Sequence, residues 1–205
     1  MGKSTISYFL ICQAKNCLDI AIQSKEKKDI ESEVQNCINI SLLLAIILEG
    51  VINDIAEVNL DSWTWKELEK ASMPLKWRII SGLKIAFDPS QEPLQTINKL
   101  YKIRNKIVHP KLEDIEDDVL AISEAGEIKQ LIKDSDVLPE GDLKIYIGFG
   151  DRIKNFNVDN SLKDFKMVLK AITEIKNIFQ VKESLDWAET IYSEIKVKKT
   201  DNFKL

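Results

Sequence analysis

The chain's only histidine, His109, follows Arg104 by five residues, with Asn105 directly after the arginine and Pro110 directly after the histidine. Imidazole is the one side chain whose ordinary pKa, about 6.5, lets it both take and give a proton near neutrality. Guanidinium holds its charge throughout that range and clamps a phosphate with two parallel hydrogen bonds. Together they are the minimum parts for cleaving an RNA phosphodiester without a metal. Histidine takes the proton of a ribose 2′-hydroxyl or protonates the leaving 5′-oxygen, and arginine stabilises charge on the phosphorane-like transition state. Arg104 and His109 are therefore the candidate catalytic pair. Asn105 stands with them, either lining the cleft or capping the helix end.

The charge around this pair is distinctive. Between Pro93 and Leu112 stand Lys99, Lys102, Arg104, Lys106 and Lys111 with no acidic residue, although the whole chain carries a net charge of −4. Lys102, Lys106 and Lys111 are candidate substrate-binding residues, because a local basic window attracts phosphates; a solvated helix face is the plainer reading of them. The sign reverses at once in Glu113, Asp114, Glu116, Asp117 and Asp118. An acidic total argues against a broad nucleic-acid-binding surface and leaves a localised cleft for weak, transient RNA contact.

In an unbroken helix, positions 104 and 109 stand about 140° apart around the axis, so the two side chains do not converge. Pro110 biases His109 away from helical dihedrals, so the helix is expected to end there, freeing the imidazole to turn back over the last turn. Pro93 suits the first turn of that helix, which carries Leu94, Ile97, Leu100, Ile103 and Ile107. Glu49 and Asn53 share one face of an earlier apolar helix at four-residue spacing. They read as supporting partners behind Arg104, or as a polar pair satisfied at a bundle edge or dimer seam.

The remaining periodicity predicts a helix from Ile6 to about Lys25 and a very long one over Val34 to Val58, apolar nearly all round in its middle. Thr64 with Glu67 reads as a capping box for a short helix to about Ala71, and Pro74 as the break before a helix over Leu75 to Phe87. Glu113 to Lys133 reads as a weakly specified helix, and Leu143 to Phe149 with Arg152 to Val158 as a small hairpin. Asp159 or Ser161 is expected to cap a strongly periodic helix to Phe179, followed by a last helix over Ser184 to Lys196. Trp63, Trp65, Trp77 and Trp187 read as core or interface anchors. The expected class is all-α: an up-and-down helical bundle with one very long central helix and a β-hairpin insert near 143–158. One domain spans 1–205, with its core at about 6–111 and 162–180, a variable insert at 113–160 and a C-terminal helix at 184–196.

With 44% hydrophobic and 30% charged residues the composition is that of a folded globular chain and excludes a disordered or collagen-like one. The longest apolar run, Leu42 to Leu48, falls short of the roughly 20 residues of a membrane span. MGKSTISYFL lacks the pattern of a secretory signal, so no membrane association and a cytoplasmic location are expected. Gly2-Lys3-Ser4-Thr5 lacks the preceding strand and earlier glycine of a phosphate-binding loop. Cys12, Cys17 and Cys37 have a single histidine to assist them, so they read as reduced, mostly buried thiols, and neither metal nor cofactor is expected.

The run RNKIVH, Arg104 to His109, resembles the R-x4-6-H signature of the HEPN superfamily (higher eukaryotes and prokaryotes nucleotide-binding) in its RNxxxH form. The long helix with LLLAIILEGVIND, the LKW segment at Leu75 to Trp77 and a terminal helix after a variable insert are similar to bacterial members. The likeness covers roughly Ile6 to Lys111 and Leu162 to Gln180. It implies an all-α homodimer in which two motifs face one cleft, so that two histidines divide the roles of base and acid. Many such proteins are metal-independent endoribonucleases of toxin–antitoxin, CRISPR-linked or phage-defence systems. The resemblance thus implies an RNA substrate and an antitoxin or defence-system partner protein. In one subgroup a tyrosine two residues after the histidine is adenylylated by a nucleotidyltransferase antitoxin; Lys111 stands there, a departure from that pattern. The family also holds members that only bind nucleotides or proteins, which makes a catalytically silent dimer module the second reading and a purely structural helical partner the third.

Overall fold

The computed structural model describes residues 3–84, 88, 90–109, 119–122, 128–130, 144–147, 155–180 and 187–201. Helices α1 (Lys3–Glu26) and α2 (Ile30–Asn59) pack along each other, joined by a short turn that Lys28 closes with a left-handed φ of 59°. The α2 start is well specified: Asp29 accepts a hydrogen bond from the Ser32 N–H at 3.1 Å, and Glu31 and Glu33 face the positive end of the helix dipole. Along α2, Cys37, Ile40, Leu44, Ile47, Leu48 and Ile52 are fully buried. Their steps of three and four residues spread over more than one face, so one partner helix cannot cover them. Helices α1, α4 (Met73–Gly82), α5 (Leu94–Val108) and α6 (Val158–Phe179) do so together, while α3 (Ser62–Leu68) meets α2 as well and α7 (Trp187–Asp201) packs on α6. Each fully buried Leu or Ile contributes roughly 1.5–3 kcal/mol of transfer free energy, making this shared core the main source of stability.

By length and composition α2 is the one described helix apolar enough to cross a membrane, with mean hydropathy 1.8 over its best stretch, of which 50% is buried inside the protein. That half of the stretch is covered by neighbouring helices. Polar ties complete the frame. Glu33 Oε1 accepts the Val158 N–H at 3.1 Å, Lys25 pairs with Asp159 at 2.8 Å, and Lys15 pairs with Glu194, so α1 and α2 reach both C-terminal helices.

The helical class is observed, and several finer expectations change. Asp61, not Thr64, caps α3: its carboxylate accepts from the Trp63 and Thr64 N–H groups and from the Thr64 hydroxyl, so Thr64 sits inside the first turn. Pro74 lies within the first turn of α4, where its missing N–H costs nothing, and so opens that helix instead of separating two. Asn157 caps α6 through the Asn160 N–H at 2.9 Å, which puts Asp159 and Ser161 inside the helix. Of the hairpin expected near 143–158, the first strand is observed, the turn and residues 152–154 lie outside the described residues, and 155–158 lead into α6 and form no strand. Strand β3 (Lys144–Ile147) pairs antiparallel with β1 (Val119–Ile122), Val119 opposite Ile147 and Ile122 opposite Lys144, and β2 (Ile128–Gln130) pairs with the other edge of β1. Two strands thus stand inside the stretch expected to be a weak helix; short apolar runs fit either period. Residues 85–87, 110–118 and 184–186 lie outside the described set, and with them Lys111, the far end of the helix expected over Leu75 to Phe87 and the start of the one expected from Ser184.

Trp77 is fully buried and its indole N–H donates to the Leu48 carbonyl at 3.0 Å, the core anchor expected of it. Trp63 is 75% exposed and anchors nothing in the core. Cys17 and Cys37 are buried free thiols and Cys12 is partly buried, as the sequence suggests; burial pushes the Cys37 thiol up to about 11. Trp77→Ala is expected to lower unfolding stability by about 3–5 kcal/mol in urea titration, and Trp77→Phe by about 1–2 kcal/mol, because only the larger change empties the site. A loss below about 1 kcal/mol for the alanine variant would refute this placement of the core.

Candidate functional site

The α5 residues Leu94, Ile97 and Leu100 are buried, and Arg104 follows Leu100 by one turn on the same side of the helix. Its guanidinium is therefore carried toward α2. Nη2 lies 3.8 Å from Glu49 Oε2, and Nη1 donates to Asn105 Oδ1 at 2.9 Å. The side chain remains one-third exposed at 33%. Helix α5 ends where Pro110 requires: Val108 is its last residue, and His109 leaves helical space at φ −128°, ψ 65° while its N–H still donates to the Asn105 carbonyl at 2.9 Å. Asn105 thus joins both members of the pair, the backbone oxygen holding His109 and the side-chain oxygen holding Arg104. The imidazole is exposed, and among the described residues it makes no side-chain hydrogen bond. Arg104 and His109 are neighbours through Asn105 and do not bond to each other.

Behind Arg104 lies a residue the sequence reading passed over. Lys76 of α4 has a side chain only 3% exposed; its ammonium donates to Asn53 Oδ1 at 3.0 Å, lies 3.9 Å from Glu49 Oε1, and sits over the Trp65 ring at 5.8 Å. Glu49 therefore stands between two cations, one oxygen toward each. Of the two readings offered for this pair, Asn53 fits that of a polar group satisfied within the bundle, by Lys76, whereas Glu49 meets Arg104 as well as Lys76. The signal for Lys76 was present. Met73, Lys76, Trp77 and Ile80 follow the steps of a buried stripe, and an ammonium on such a stripe requires partners.

Lys102 and Lys106 occupy a different place from Arg104. Lys102 and Lys106 each stand two positions from Arg104, about 200° around the helix. Both lysines line a groove of about 720 Å³ between α5 and the start of α6, with Lys99, Asn98, Asn160 and Asp164. The single basic cleft inferred from charge density is therefore two sites on opposite faces of α5. In the groove Lys99 donates to both Asp164 oxygens at 2.9 and 2.7 Å. Burial raises the Asp164 pKa above the usual carboxylate value, against the opposing pull of Lys99.

Compared with known proteins, the chain matches no family, no curated protein and no solved structure.

Because the folded pKa of Asp164 is raised, its contribution favours the folded state at low pH and is lost as pH climbs through that value. Removing Lys99 raises it further. Lys99→Met is expected to cost about 2 kcal/mol at neutral pH, the scale of a charged hydrogen bond. The loss should shrink toward about pH 4, as the partnerless carboxyl takes up a proton. Urea midpoints at both pH values test this; an equal loss at both would contradict it.

Proposed function

We propose that the chain is a cytoplasmic, homodimeric, metal-independent endoribonuclease of HEPN type that serves as a toxin or phage-defence effector under an antitoxin or defence-system partner. The observation that carries the reading is the end of α5: a guanidinium bonded to the Asn105 side chain and, five residues on, an exposed histidine whose backbone N–H bonds the Asn105 carbonyl. In the reaction, His109 takes the proton of a ribose 2′-hydroxyl, whose oxygen bonds to phosphorus as the bond to the 5′-oxygen breaks. The leaving oxygen receives a proton from the second copy's imidazole, and the products are a 2′,3′-cyclic phosphate and a 5′-hydroxyl. Arg104 stabilises charge on the non-bridging oxygens. Lys76 offsets the Glu49 charge, so that Glu49 orients the guanidinium without cancelling its field. Dimerisation is supported by an exposed apolar stripe, Leu75 and Ile79 on one side of α4 and Leu83 at its C-terminal cap, at 37%, 39% and 52% exposure.

A second reading, a silent HEPN-like dimer module that binds a nucleotide or protein, draws on the same contacts: Glu49 and Asn105 occupy Arg104, as they would in a purely structural motif. The two part in one experiment. The purified chain, incubated with mixed RNA in excess chelator, is expected to leave 2′,3′-cyclic phosphate ends. His109→Ala and Arg104→Ala should each lower the rate at least about 100-fold. Intact RNA at high protein concentration, or cleavage that survives His109→Ala, would refute the nuclease.

A further inference from the structure

The reaction just described uses Lys76 only as a countercharge, yet it is the one lysine buried among the described residues. A buried ammonium needs a reason. Its neighbours satisfy it: Asn53 Oδ1 accepts at 3.0 Å, Glu49 Oε1 stands at 3.9 Å, and the Trp65 ring lies 5.8 Å away. Satisfaction is not a gain in stability, because a methionine of similar length fills such a site without the cost of desolvating a charge. The placement of the charge is more telling. Lys76 comes from α4 to one oxygen of Glu49, and Arg104 comes from α5 to the other at 3.8 Å.

That arrangement fixes the sign of the site. A lone Glu49–Arg104 pair would be neutral, and its carboxylate could turn both oxygens to the guanidinium in the two-bond geometry that a phosphate also uses. With Lys76 present, two cations face one carboxylate, so positive charge is left over and one oxygen is drawn away from Arg104. We infer that Lys76 is a positioning residue which, by holding Glu49, keeps the Arg104 guanidinium aimed yet open to an anion. It touches no substrate and acts through Glu49 alone. The catalytic consequence rests on the nuclease reading; the effect on Arg104 does not.

The chain has three arginines, Arg78, Arg104 and Arg152, so modification by phenylglyoxal can be followed at each by peptide mass spectrometry. Lys76→Gln removes the charge and keeps a donor on the Asn53 side. It is expected to slow modification of Arg104 about three-fold or more relative to the exposed Arg78, because Glu49 then closes on the guanidinium and shields it. Glu49→Gln alone should speed that modification, and in its background Lys76→Gln should slow it less. A lysine that only supports the fold predicts the opposite, a loosened site and faster modification. Cleavage of RNA should fall about three-fold or more in Lys76→Gln. Absence of cleavage by the unaltered chain would refute the nuclease and leave the arginine comparison standing, so the two failures are distinguishable. An unchanged or higher rate at Arg104 in Lys76→Gln, or equal slowing with Glu49 replaced, would overturn the inference. Should circular dichroism show Lys76→Gln unfolded, failure of Glu49→Gln to speed modification would overturn it instead.

Discussion

A helix of 30 residues that is apolar around most of its circumference has to be covered on several sides at once, and α2 imposes that requirement on the rest of the chain. Helices α1, α4, α5 and α6 all meet it. Where its apolar surface is interrupted, by Glu49 and Asn53, the neighbours must supply charge and hydrogen bonds in place of methyl groups. Lys76 and Arg104 do this from α4 and α5. The polar cluster is thus the consequence of two helices docking against one, and its members are held by the same packing that buries Ile47, Leu48 and Ile52. Leaving Lys76 without Asn53 and Glu49 would strand a buried ammonium, a far larger penalty than any surface ion pair could offset.

Helix α5 is the element in which fold and chemistry meet. Its core face runs from Leu94 through Leu100 and ends in Arg104; its outer face carries lysines toward α6. The side chains on these faces obey different electrostatics. Arg104 is aimed by the partly exposed Glu49 and Asn105, and the buried Lys76 behind Glu49 is fixed by packing. Lys102 is exposed and its charge is screened, which suits attraction of an anion more than precise orientation. The two faces of one helix are therefore separable by mutation.

The long elements were legible because many positions vote for one period. Thus α2, α5 and α6 lie where spacing puts them, and Pro110 alone marks the end of α5. Boundaries were less so: Asp61 against Thr64, and Asn157 against Asp159 or Ser161, are competitions between chemically adequate caps, decided by side-chain geometry that spacing does not encode. The runs around Val119 and Ile128 are too short to distinguish two periods; the alternation around Lys144 does read as a strand, but its pairing with β1 joins residues far apart in sequence. In the site, the contact of Glu49 with Arg104 is one of the two readings that their types and spacing left open. The grouping of Lys102 and Lys106 with Arg104 was not correct, because proximity along a helix is not proximity around it. Lys76 escaped notice because a lysine in a mixed segment looks ordinary until the buried stripe through Met73, Trp77 and Ile80 is drawn.

Whether Arg104 serves a phosphate depends on how firmly its present partners hold it. Its approach to Glu49, 3.8 Å with both side chains about one-third exposed, is that of a loose ion pair, worth no more than about 1 kcal/mol in such surroundings. Glu49 is also shared with Lys76, so its attraction is divided between two cations. A phosphate offers the guanidinium two parallel charge-assisted hydrogen bonds, each stronger than what it would displace. The neutral Asn105 Oδ1 contact occupies one nitrogen and leaves the others open to a ligand. On these magnitudes the Glu49 contact is a rest position that aims the guanidinium at low cost to its use, and a buried Lys76 keeps the aim from becoming a trap.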